Sequence, residues 1–167
     1  MHDWPTPDSG EIPTPELVAA WATLQVAAAD RIPLWAAHRL AQGYDGEALR
    51  TLAGLSSADP REVNDVLPAA LADCAATIPG SEETAARVAF TELARVHADC
   101  RATERWILDR VCEIVSRSGY AISVIALPLG QIFDFADEWG AGWGRTQREL
   151  ELEIQKACSA QLAVGEH

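Results

Sequence analysis

Residues 120–139 read YAISVIALPLGQIFDFADEW, and the conformation they adopt decides the fold class. Residues 120–127 are rich in isoleucine and valine, which suits a buried strand. As a helix, the same stretch places Ile122, Ile125, Leu129, Ile132, Phe133 and Ala136 on one face. A lone strand leaves its backbone groups unpaired, and no other segment of the chain reads as a partner strand. The stretch is therefore expected to be helical, perturbed near Pro128 and Gly130, and the chain all-α.

Upstream, residues 81–118 contain neither proline nor glycine. Ser81 is placed to cap a helix, with Glu82 and Glu83 near the positive end of its dipole. About 36 helical residues would extend roughly 54 Å at 1.5 Å per residue. Ala86, Phe90, Leu93, His97, Cys100, Glu104, Ile107, Val111 and Ile114 recur in steps of four and three, a coiled-coil-like seam. This predicts one long central helix.

Downstream, residues 139–146 read WGAGWGRT. A phosphate loop would need glycine where Trp139 stands and lysine where Arg145 stands, and the dinucleotide fingerprint would need glycine at Arg145. Both motifs follow a strand, and this segment follows an expected helix. Thr146-Gln147-Arg148-Glu149 instead matches a capping box, so the loop reads as a connector into a last helix. Trp139 and Trp143 either enter the core or, beside Asp134, Asp137 and Glu138, form an acidic aromatic surface.

The N-terminal half carries more helix punctuation. Residues 1–13 hold three prolines and few large apolar groups, which predicts a flexible arm with Trp4 as its docking residue. Thr14-Pro15 starts a helix with Leu17, Trp21, Leu24 and Ala28 on one face. Pro33 opens a second, ended by Gly43; Asp45 is expected to cap a third, ended by Gly54; Asp59-Pro60 starts a fourth, which Pro68 should kink or split. The whole predicts a single domain over residues 14–167, a bundle of about six to seven helices.

The segment IPLWAAHRLAQGYDGEALRTLAGLSSADPREVNDVLPAAL, residues 32–71, resembles small uncharacterised all-helical proteins of high-GC actinobacteria. There too a WAA helix leads to DG-ALR-LAGL and DP-EV-D-LP-AL helices. The resemblance covers about a quarter of the chain, implies a helical fold and a similar source, and implies no activity. Abundant alanine and a single lysine, Lys156, agree with a GC-rich genome.

With 25 acids against 13 bases the chain carries a net charge of −12, which disfavours nucleic-acid binding and suits a basic protein partner. No membrane-length apolar run and no leader pattern appear, so a cytoplasmic setting is expected. Cys74, Cys100, Cys112 and Cys158 form no CxxC pair and are read as reduced thiols. No motif calls for a cofactor, and no G-x-S-x-G is present.

The reading that results is a non-catalytic protein-binding module, such as an acidic immunity or antitoxin-type inhibitor or an adaptor. Its surface residues are Asp134, Asp137, Glu138, Trp139 and Trp143. Two alternatives stay open. One is a metal-binding or cysteine-dependent helical enzyme centred on His97, Cys100 and Glu104 of the long helix, whose imidazole, thiolate and carboxylate are competent ligands, with His38, Cys74 or Cys112 as further donors. The other is a homo-oligomeric scaffold joined along the long-helix seam.

Overall fold

A computed structural model describes residues 12–165, among which every regular element is helical. The chain divides into two compact units, Met1–Gly80 and Ser81–His167.

The first unit contains α1 (Pro15–Thr23), α2 (Ile32–Ala41), α3 (Glu47–Ala53) and α4 (Pro60–Asp73). Each start has a local cause. Thr14 accepts the Leu17 N–H at 3.2 Å, and Asp59 accepts those of Arg61 and Glu62. Asp45 does not cap α3; its carboxylate pairs with Arg50. The α3 N-terminus is served instead by Asp73, from the end of α4, which accepts the Leu49 N–H at 3.0 Å. The expected split at Pro68 does not occur: α4 runs unbroken through this exposed proline.

Val18, Ile32, Trp35, Leu49, Leu52, Val63, Leu67 and Leu71 form the core of this unit. Burying each large aliphatic side chain contributes about 1.5–3 kcal/mol. The Trp35 indole donates to the Pro13 carbonyl at 2.8 Å, and the Arg39 guanidinium donates to the carbonyls of Ile12 and Pro13. The end of the expected arm is thus anchored at residues 12 and 13; Trp4 lies outside the described residues.

The second unit contains α5 (Glu82–Ala98), α6 (Glu104–Arg117), α7 (Ile122–Ile125), a 3-10 turn (Gly130–Ile132), α8 (Phe135–Glu138) and α9 (Gln147–Gly165). The expected long helix is therefore two helices, and α9 is the longest element described. The break has a clear geometry. Cys100 takes a left-handed conformation at φ 57, its N–H reaches the His97 carbonyl at 2.9 Å, and the Arg101 N–H reaches the Val96 carbonyl at 3.0 Å. This is the Schellman ending. Thr103 then caps α6 by accepting the Trp106 N–H at 3.2 Å. Helices α1 and α4 end in the same way with Gln25 and Ala75 in the left-handed position.

Residues 120–139 are helical in short pieces, not in one piece. The interruptions at residues 126–129 reset the phase, so the expected common face is lost. Ile122 is 85% exposed, while Val124, Leu127, Leu129, Ile132 and Phe135 are buried. Helix α9 packs along α5 and against α6. At that interface Gln161, fully buried, accepts the Leu129 N–H at 3.3 Å and donates to Thr91 Oγ1 at 3.3 Å. Its amide satisfies a backbone donor left over by the broken helical path, which is how the irregular segment is held to α9.

Candidate functional site

The loop between α8 and α9 is built on a clasp. Helix α8 ends at Trp139, whose extended backbone at ψ 110 is followed by Gly140 at φ 71. With the Ala141 N–H on the Glu138 carbonyl at 3.2 Å, residues 138–141 form a type II turn, whose third position requires a left-handed residue. The Glu138 carboxylate then turns back on Arg145. It accepts the Arg145 backbone N–H at 2.9 Å, Nε–H at 3.1 Å and Nη2–H at 2.7 Å. Gly144 leaves room for this: a Cβ there would stand 2.7 Å from Glu138 Oε2. The guanidinium stacks 4.2 Å above the Phe135 ring centroid.

The electrostatics follow from the clasp. The hydrogen bonds from Arg145 hold the Glu138 carboxyl down at about 2. Glu138 in turn raises the Arg145 guanidinium, with Asp134 and Glu153 adding to its field. The capping box forms as read: Glu149 N–H to Thr146 Oγ1 at 3.2 Å, and Thr146 N–H to Glu149 Oε2 at 2.7 Å. Both ends of the loop are therefore fixed.

The five expected surface residues separate into three kinds. Trp143 is 61% exposed, and Asp134 and Asp137 are exposed with no ion pair among the described residues. Trp139 is half-buried, with the Arg105 guanidinium 5.4 Å from its ring centroid and Arg105 tied to Asp109 at 3.1 Å. Glu138 commits its oxygens to Arg145, so it shapes the loop. Sequence reading misses Arg145, Phe135 and Arg105. The available signal was a glutamate and an arginine bracketing the three glycines.

The break between α5 and α6 remakes the other candidate site. Seven residues along a continuous helix would separate His97 and Glu104 by about 10 Å. The turn instead brings His97 Nε2 to 3.0 Å from Glu104 Oε1, and Gln155 of α9 donates to the same oxygen at 2.8 Å. Burial pushes the Glu104 carboxyl up, but the hydrogen bonds from His97 and Gln155 outweigh it and hold the group below its ordinary value. Cys100 is exposed in the turn and does not complete a set. Among the described residues no three His, Cys, Asp or Glu side chains gather to hold a metal ion.

The first unit has a cleft of about 500 Å³ that sequence reading does not find. Ala19, Ala22 and Thr23 of α1 face Asn64, Leu67 and Pro68 of α4 across it, and among the described residues no charged side chain lines it.

Comparison with protein families, with curated proteins and with solved structures returns no match. The fold and site stand on the geometry of this chain alone. No described helix is long and apolar enough to cross a membrane.

Proposed function

We propose that this all-helical protein is a non-catalytic binding module that engages a basic protein surface through the α8–α9 loop. The observation that carries the reading is the clasped loop itself. Trp143 is held out in solvent by a backbone fixed at both ends, and Asp134 and Asp137, a few residues earlier in the chain, are exposed as well. A pre-ordered aromatic loses little entropy on docking, and tryptophan is enriched among residues that dominate interface energetics. Unpaired surface carboxylates such as these accelerate encounter with a cationic partner. An immunity or antitoxin-type inhibitor is one concrete form of such a module. The four unpaired cysteines suit a cytoplasmic setting.

A display library of random peptides, selected on the intact chain and counter-selected on the Asp134→Asn, Asp137→Asn, Trp143→Ala variant, tests this. The reading expects enriched peptides that are basic and that release as salt is raised. Neutral peptides, or peptides that bind the variant equally well, would contradict it.

A further inference from the structure

We infer that the cleft between α1 and α4 binds a neutral small molecule with an apolar body and a carbonyl, amide or hydroxyl end. This ligand is separate from the protein partner of the α8–α9 loop. The opening has a cause in the sequence. On the α1 side Ala19, Ala22 and Thr23 have short side chains, which leave about 500 Å³ beside Leu67 and Pro68 of α4. Close-packed interiors rarely leave voids larger than a water molecule, whereas a space of this size suits a small-molecule site.

The lining divides by depth and by chemistry. Ala19 and Leu67 are buried and form the floor, while Ile78, 49% exposed, offers an apolar edge. An apolar body laid over these groups removes their surface from water. The polar groups belong to Thr23, Gln25 and Asn64. Thr23 donates its hydroxyl to the Ala19 carbonyl at 3.0 Å, which leaves its oxygen as an acceptor. The Gln25 and Asn64 side chains are exposed and make no hydrogen bond among the described residues, so each amide keeps a donor and an acceptor for a ligand. Among the described residues no charged side chain lines the cleft, so an ion seated there would lose hydration without gaining a counter-charge. A neutral molecule avoids that cost, and its polar end can meet the two amides.

The test uses the full chain with ¹³C-labelled alanine and isoleucine methyl groups. It is screened at millimolar concentration against small aromatic and aliphatic fragments in three sets of matched size, neutral, anionic and cationic. Neutral fragments bearing a carbonyl, amide or hydroxyl are expected to shift the Ala19, Ala22 and Ile78 methyl signals saturably. Ala22→Leu places a larger side chain in the cleft and should weaken the best of them by at least about tenfold. Asn64→Ala, at an exposed position, should weaken it by about two- to tenfold, the range for one hydrogen bond. Amide spectra verify that both variants fold. No saturable shift at these methyls, an equal response to charged fragments, or binding that survives Ala22→Leu would overturn the site. Shifts of the same methyls in Trp4→Ala without any fragment would also overturn it, because residues 1–11 would then be the occupant.

Discussion

Glu138 and Arg145 meet through three hydrogen bonds across a loop containing three left-handed glycines, Gly140, Gly142 and Gly144. This pairing, and not the tryptophans, gives the segment its shape. Because the folded Glu138 carboxyl is depressed from 4.5 to about 2, its contribution to loop order is complete above pH 4.5 and lost as the pH falls toward 2. Amide exchange protection at residues 140–145 is accordingly expected to persist through mild acid and to fail near pH 2. Glu138→Gln should loosen the same amides at neutral pH. Loop amides equally protected in that variant would show that the clasp is not what orders the loop.

The buried Gln161 amide ties α9 to Leu129 and Thr91. Gln161→Leu fills similar space but leaves the Leu129 N–H without an acceptor, a loss of about 1–3 kcal/mol. Chemical denaturation followed through NMR signals of residues 81–165 should show the loss, together with faster exchange of the Leu129 amide. Unchanged Leu129 exchange would mean that its N–H finds another acceptor.

Cys100 occupies the left-handed position that ends α5. An L-residue there is disfavoured by about 1–2 kcal/mol, against roughly 0.5–1 kcal/mol of extra chain entropy that glycine loses on folding, so Cys100→Gly should gain on the order of 0.5–1 kcal/mol. Cys100→Ala keeps the strained conformation and should gain nothing. Equal stability of the two variants in denaturant unfolding would contradict the strain argument.

The thiols should separate by reactivity. Burial pushes Cys158 up to about 12, and raises Cys74 and Cys112, while Cys100 is exposed. A disulfide reagent at pH 8 is expected to label one thiol quickly and the others slowly, because the thiolate is the reactive form. Cys100→Ala should remove the fast phase, and a fast phase that survives would place a second thiol at the surface.

Helix starts were legible because they are local. Thr14, Asp59, Ser81 and the Thr146–Glu149 box each act within three residues, and each forms as the sequence indicates. Helix ends were not. The usual marker is glycine, which ends α2 and α6, but Gln25, Ala75 and Cys100 take the same backbone conformation without one. The break at Cys100 therefore has no local marker in the sequence, and neither does the close approach of His97 to Glu104. The site was half legible: aromatic and acidic residues stood out by type, whereas the use of Glu138 depends on a loop closing seven residues later. Asp73 capping α3 and Gln161 holding Leu129 join residues 24 and 32 positions apart, which no local pattern announces.

In the proposed function, Asp134 and Asp137 steer a cationic partner toward a fixed Trp143. The most direct test is the association rate constant of a basic peptide selected on the intact chain, measured by stopped flow across ionic strength. The rate is expected to fall at least roughly tenfold from low to high salt, with Asp134→Asn, Asp137→Asn lowering the low-salt rate and flattening the dependence. A rate indifferent to salt and to both aspartates would contradict it.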